Sequence, residues 1–164
     1  MGNLLGRVYK RWMMSKTCAF FGNADIIGDV REVAEKIRQT AIDLITNKQV
    51  DTFLVGIKGK FETLSHRIME QIKCDYPQIK IMLVIAYERD LEKVAYKFDD
   101  IYYPPLAELG YRGWSIAKRN DWIIEQTDYV IAYNEYQGRA YNYCKKAKRK
   151  GKTIIGLGKQ DESI

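Results

Sequence analysis

Histidine, cysteine and proline are scarce in this chain of 164 residues, which has one His, three Cys and three Pro. The cysteines Cys18, Cys74 and Cys144 are isolated and form no Cys-x-x-Cys pair. This pattern argues against a zinc site and against a disulfide framework. We therefore expect no bound metal, and a reducing cytoplasm as the natural compartment. His66 lies in a helical pattern, and we expect it to be structural, since no Ser-His-Asp arrangement can be assembled around it.

Long apolar runs are also missing. No stretch approaches the roughly 20 apolar residues that span a bilayer, so we expect no membrane partner. The chain is 46% hydrophobic and 29% charged, a composition typical of globular domains. Its length predicts one domain, at residues 14–158. A weakly amphipathic basic extension precedes it at residues 1–13, and a polar tail at residues 159–164 is expected to be frayed.

Positive charge exceeds negative charge, with a formal net charge of +6 at pH 7. Part of the excess lies in two segments, residues 7–16 and residues 145–152. One interpretation is a set of solvated helix faces. The other is attraction of anionic ligands, of which nucleic acid is one case.

Five short β-branched and aromatic runs predict strands at residues 17–21, 52–55, 80–87, 128–133 and 153–157. Helical patterns lie between them, at residues 29–47, 61–76 and 114–126 and from near residue 138 to residue 151. This alternation predicts an α/β fold, a three-layer Rossmann-like open parallel sheet with helices on both faces. We expect the strand order 3-2-1-4-5, with a ligand above the carboxyl ends of the first and fourth strands, where the order reverses.

The stretch at residues 88–113 is irregular and rich in tyrosine. A short helical turn fits part of it, and a short strand fits residues 101–103. A long loop in a compact domain is often functional. This one lies where a lid over the sheet edge would lie.

The first strand ends in the turn Gly22-Asn23-Ala24-Asp25. A glycine directly after the strand leaves room for a ligand at the point where the strand order reverses. Asn23 and Asp25 can hydrogen-bond a base or a ribose. The alternative is an ordinary loop that turns through Asn and Asp because both tolerate a left-handed backbone.

The second strand ends in the turn Gly56-Ile57-Lys58-Gly59. Two glycines three residues apart let the backbone approach a ligand closely, and Lys58 adds a positive charge. The turn matches neither the dinucleotide-binding glycine pattern nor the P-loop. The alternative is that any tight turn between a strand and a helix can carry glycine.

The fourth strand ends in a loop that begins at Asn134 and leads into the last helix at Gly138 and Arg139. Backbone N–H groups at a helix start, with an arginine beside them, suit a phosphate group. Tyr133 or Tyr136 can stack on a base. The alternative is a surface loop with an exposed arginine.

Arg119 lies one to two turns into its predicted helix. Its guanidinium either reaches the sheet edge or belongs to a solvent-facing basic turn, and the sequence leaves both open. Together with the three turns, this region resembles the SLOG superfamily of Rossmann-like domains, over residues 15–157, and above all its small bacterial and phage members. The resemblance depends most on Phe21-Gly22, residues 55–61, Lys118-Arg119-Asn120, residues 125–128 and Gly151-Lys152-Thr153.

The resemblance implies a site at the strand ends for a nucleotide or nucleotide-derived molecule, such as the ADP-ribose-like signals that some members sense. By position it points to Gly22, Asn23, Gly56, Lys58, Gly59, Arg119, Asn134, Gly138 and Arg139. Close relatives have a His-Arg pair where Asn23-Ala24 stands, and residues 134–139 lack the Pro-Gly-Gly-x-Gly-Thr turn of the phosphoribohydrolase branch. Relatives commonly self-associate, so a homo-oligomer stays open. We expect no cofactor.

Three functions therefore compete. The favoured one is non-catalytic binding, in which the chain senses or sequesters a nucleotide-type signal in bacterial or phage defence and has no catalytic residue. The second is a nucleotide N-glycosidase, which needs a carboxylate beside the ribose; Asp25, Glu62 and Glu135 are the candidates near the turns. The third is a nucleic-acid-binding module that uses the basic helix at residues 145–150.

Overall fold

The structure, a computed structural model, describes residues 16–87, 100–102 and 115–164. The predicted extension at residues 1–13 lies outside the described residues, as does the predicted lid at residues 88–113 apart from residues 100–102. Six strands and four α-helices alternate along the described part of the chain. They are β1 (Lys16–Gly22), α1 (Val30–Asn47), β2 (Val50–Val55), α2 (Lys60–Asp75), β3 (Lys80–Val84), β4 (Asp100–Tyr102), α3 (Ser115–Gln126), β5 (Tyr129–Tyr133), α4 (Arg139–Arg149) and β6 (Thr153–Gly156).

The strands form one parallel sheet in the order β4-β3-β2-β1-β5-β6. The predicted α/β class and the predicted order of five strands are confirmed, and β4 adds a sixth strand at the edge beside β3. β4 has only three residues and lies within one residue of the short strand expected at residues 101–103. The chain first builds the sheet outward from β1 through β2 and β3, and later returns to the other side of β1 with β5. The strand order therefore reverses at β1, as predicted.

The sheet is covered on both faces, because successive side chains of a strand point in opposite directions. In β1, Cys18 and Phe20 join the core on the side of α1 and α2. Ala19 and Phe21 join a second core on the side of α3 and α4. The prediction of helices on both faces is confirmed.

The helices begin in two different ways. The carboxylate of Asp29 caps α1 by accepting the N–H of Arg31 at 2.9 Å. In contrast, α2 and α4 begin at Gly59 and Gly138, and neither N-cap has a side-chain hydrogen bond. The Lys60 N–H at the start of α2 donates to the Ala24 carbonyl at 2.6 Å, whereas the first N–H groups of α4 stay available to other partners. None of the described helices combines the length and the apolar character that a membrane span needs.

The prediction of a frayed tail after residue 158 is wrong. Lys159–Ser163 forms a 3₁₀ turn, and Asp161 within it is buried. The segment is polar in sequence, yet it is ordered because its polar groups bond to the loop after β5, which lies more than 20 residues earlier. Such a partner cannot be read from local composition.

Gly59 provides a test of the turn after β2. Its φ of 87° and ψ of 159° suit only glycine, and an added Cβ would lie 3.1 Å from the Cα of Ala24. We expect Gly59→Ala to lower the free energy of unfolding by about 1–3 kcal/mol. Gly28→Ala is the control, because its Cβ would meet nothing closer than the Tyr133 hydroxyl at 3.9 Å. Equal losses for the two variants in urea denaturation would contradict this account.

Candidate functional site

A cleft of about 400 Å³ lies at the carboxyl ends of β1, β2 and β5, where the strand order reverses. The register brings these ends together, since Gly22 at the end of β1 pairs with Tyr133 at the end of β5. The cleft is lined by Gly22, Asn23, Ala24, Lys58, Gly59, Tyr136, Arg139 and Ala140. Five of the ten predicted site residues belong to this lining, and they come from all three predicted turns.

The cleft has a positive character. Lys58 and Arg139 line it, and no acidic side chain does so among the described residues. The N-terminal ends of α2 and α4 begin directly after two of its lining turns. Within the described part of the chain, the N–H groups of Arg139, Ala140 and Tyr141 have no hydrogen-bond partner. Free N–H groups and the positive end of a helix dipole both favour an anion.

The floor of the cleft explains the glycine at position 22. A Cβ on Gly22 would overlap the ring of Phe61, which is buried beneath it. Phe61 in turn stacks on Tyr133, with ring centroids 5.5 Å apart. The Tyr133 hydroxyl accepts the N–H groups of Ile27 and Gly28 at 3.2 and 3.4 Å, and so supports the loop after β1. Gly22 therefore makes room for an aromatic ring of the protein itself.

Asn23 holds two walls of the cleft together. Its Oδ1 accepts the backbone N–H groups of Glu135 and Tyr136 at 2.7 and 3.3 Å, and its Nδ2 donates to the Tyr136 carbonyl at 3.4 Å. The residue is buried. Its side chain thus fixes the loop after β5 to the turn after β1. The Oδ1 and Nδ2 atoms, which the sequence assigned to a base or ribose, are used in these hydrogen bonds.

Gly56 and Arg119 belong to a partly buried ion-pair cluster beside the cleft. The Arg119 Nε donates to the Val84 carbonyl at 2.9 Å, and its Nη2 lies 3.9 Å from Glu62 Oε1. The other Glu62 oxygen accepts the Lys58 N–H at 2.8 Å. A Cβ on Gly56 would overlap both charged groups. This cluster fixes the turn that carries Lys58, and Arg119 lines a separate pocket of about 30 Å³.

The remaining predicted residues also lie away from the lining. Asp25 is exposed, and its carboxylate lies 3.5 Å from the Lys60 ammonium. Asn134 is fully buried and bonded to Asp161. Gly138 is the N-cap of α4, where a Cβ would approach the ring of Tyr136 to 3.0 Å.

Sequence reasoning did not place Ala24, Tyr136 and Ala140 in the site set. Tyr136 is 47% exposed, and its ring lies at the cleft. The sequence had nevertheless indicated Tyr136 as a residue that can stack on a base, because it is an aromatic residue in a loop just after a strand at the reversal point. Ala140 has no such signal, because a small apolar side chain at the start of a helix does not by itself indicate a ligand.

The described residues contain no group of three or more His, Cys, Asp or Glu side chains placed to hold a metal ion. Two of the cysteines are deeply buried. Burial raises the pKa of the Cys18 thiol far above its ordinary value and that of Cys144 to about 12. Neither is a thiolate nucleophile near neutral pH.

Glu62 provides a test of the ion-pair cluster. Burial raises its pKa above the usual value of 4.5, and Arg119 and Lys58 act in the opposite direction. The folded protein then binds this proton more tightly than the unfolded chain does, so stability is lost as pH rises from 4.5 through the folded pKa. The free energy of unfolding of the wild type, relative to Glu62→Gln, should fall as pH rises above 4.5.

Urea denaturation at several pH values measures this difference. Glu35→Gln, at an exposed position on α1, serves as the control and should show a smaller change. A difference between the wild type and Glu62→Gln that stays constant with pH would contradict the burial of this carboxylate.

The sequence was also compared with known proteins. No family model matches it, and no curated protein matches it. The likeness to the SLOG superfamily accordingly stays a prediction from the motifs.

Proposed function

We propose that this chain binds a nucleotide or a nucleotide-derived small molecule at the carboxyl ends of its parallel strands, without turning it over. The observation that carries the proposal is the composition of the cleft at the reversal point. Two helices without a side-chain cap begin there, two cationic side chains line it, and the described residues contribute no acid to its lining. Phosphate is the common biological anion that such a surface favours.

The size of the cleft agrees with a small molecule. Its volume of about 400 Å³ falls within the range usual for such ligand pockets. Tyr136 offers an exposed ring for stacking on a base. Lys58 is partly engaged, since its ammonium lies 5.0 Å from the ring centroid of Tyr87. A phosphate in the cleft would compete for this ammonium through a stronger charge–charge attraction.

Binding is favoured over N-glycosidic hydrolysis by the positions of the three candidate carboxylates. Asp25 pairs with Lys60 at the surface, and Glu62 is held by Arg119 and the Lys58 N–H. Glu135 does not line the cleft. A hydrolase would need one of them beside the ribose, where positive charge develops.

The nucleic-acid alternative loses support from the pairing of the basic helix. The Lys146 ammonium lies 2.5 Å from an Asp121 oxygen, and Lys150 pairs with Glu125. Both acids belong to α3, so two of the five cations at residues 145–150 are paired within the molecule. Fewer cations are then left to replace the counterions of a nucleic-acid backbone.

A narrower form of the proposal comes from the family likeness. As a SLOG-type domain, the chain would sense or sequester an ADP-ribose-like signal in bacterial or phage defence, inside the cytoplasm. The cleft is compatible with this ligand because ADP-ribose carries two phosphates and a base.

Arg139→Ala is the direct test. Arg139 is exposed at the cleft and has no ion-pair partner among the described residues, so its loss should leave the unliganded melting temperature nearly unchanged. We expect the Kd for a nucleotide to rise by about tenfold, since a charge-assisted contact is lost. Arg149→Ala, at the other end of α4, removes the same charge and should leave the Kd unchanged.

The probes are a nucleoside monophosphate, a nucleoside diphosphate, ADP-ribose and a free nucleoside, followed by thermal shift and calorimetry. No stabilisation by any phosphate-bearing probe would refute the proposal. Chromatography of each mixture checks for free base, and its steady release would instead establish the hydrolase.

A further inference from the structure

The segment after β6 is docked against the loop that leads from β5 into the cleft. The Gln160 N–H donates to the Asn134 carbonyl at 2.8 Å, and the Tyr141 hydroxyl lies 2.9 Å from the Ser163 hydroxyl. Gly158 packs so closely that a Cβ would come within 2.5 Å of the Asn134 backbone. Residues 158–163 are therefore an ordered part of the structure that supports the loop after β5.

Asp161 is the centre of this docking. One carboxylate oxygen accepts the N–H groups of Asn134 and Gly158 at 2.9 and 2.8 Å. The other accepts the side-chain Nδ2 of Asn134 at 2.7 Å. Asp161 is buried, and it does not line the cleft. Its oxygens are committed to the protein, so a direct contact with a ligand is not its role.

The bonds of Asp161 continue to the cleft through two buried amides. Asn134, which Asp161 fixes at both its backbone and its side chain, has its Oδ1 3.5 Å from the Nδ2 of Asn23. Asn23 in turn accepts the N–H groups of Glu135 and Tyr136. The same loop then leads through Gly138 into α4, whose first residues line the cleft.

We infer that Asp161 is a positioning residue for the cleft: through Asn134 and Asn23 it sets the place of Tyr136 and Arg139. The inference is based on the proposed function, because it concerns the affinity of that same cleft. By thermodynamic linkage, a ligand that needs this loop in place must also stabilise the docked end of the chain.

A residue that only stabilised the fold would have a different effect. Its loss would lower the melting temperature and leave the affinity of the remaining folded protein unchanged. Loss of a positioning residue weakens binding in the folded protein itself. A suitable control is Thr127→Val, which removes the buried hydroxyl that donates to the Thr17 and Tyr129 carbonyls at the opposite end of β5.

The variant Asp161→Asn keeps the shape of the side chain but replaces a carboxylate oxygen with an NH₂ group. This group faces the Nδ2 of Asn134, so two donors meet and their hydrogen bond is lost. The double variant N134D/D161N exchanges the two groups. The new amide at position 161 can then donate to the new carboxylate at position 134, and its oxygen can still accept the two backbone N–H groups. Net charge is also the same as in the wild type.

We expect Asp161→Asn to raise the Kd for the nucleotide by about tenfold, equivalent to ~1.4 kcal/mol. N134D/D161N should bring the Kd back to within about threefold of the wild type, as expected for directly coupled groups. Thr127→Val should lower the melting temperature without changing the Kd. Unchanged binding by Asp161→Asn would overturn the inference and leave the proposed function standing.

Hydrogen exchange on the unliganded proteins gives a second readout that needs no nucleotide. The amides of Glu135, Tyr136 and Gly138, which are hydrogen-bonded within the loop, should exchange faster in Asp161→Asn than in Thr127→Val. If the wild type binds no nucleotide, the proposed function fails, and this comparison alone decides whether Asp161 orders the loop.

The wild-type chain offers a third readout in case Asp161→Asn does not fold. A saturating nucleotide should slow exchange of the Gly158, Gln160 and Ile164 amides, which lie outside the cleft. Exchange at these three amides that is the same with and without bound nucleotide would overturn the coupling.

Discussion

The pairing of β1 with β2 on one side and with β5 on the other is the constraint on which the rest of this structure depends. Because the three strands are parallel, their carboxyl ends meet at one edge, and the chain leaves each of them by a turn into a helix or loop. The reversal of strand order at β1 keeps the next two crossovers apart, which opens a space between them. The cleft is the consequence of this topology, and its lining residues come from segments more than 100 residues apart.

The positive character of the cleft follows from how the nearby acids are used. The Glu62 carboxylate pairs with Arg119 and accepts the Lys58 N–H, and the Asp161 carboxylate accepts the Asn134 N–H. Each carboxylate fixes a wall of the cleft from behind. The surface left facing the cleft carries cations and free N–H groups, so the same contacts that order the walls also determine which charge they attract.

Much of the fold was predictable because it depends on periodicity. Apolar runs of four to six residues with helical stripes between them have few solutions other than a covered parallel sheet. The site was predictable only to the level of its turns. Gly22 and Gly56 were assigned to a ligand, yet one gives space to the Phe61 ring and the other to the pair of Glu62 and Arg119. A glycine in a sequence says that a side chain is excluded, but not which neighbour excludes it.

The amino-acid sequence by itself determined the class of fold, the order of the strands and the edge at which the three turns meet, because these follow from local hydrophobic patterns and the handedness of crossovers. Only the tertiary structure decided which polar residues face the cleft and which are used in holding it. Asn23, Asn134 and Asp161 have the same chemistry in either role. The partners that join Asp161 to Asn134, and Asn23 to the loop after β5, lie 27 to more than 100 residues apart along the chain, and no local pattern specifies contacts at that separation.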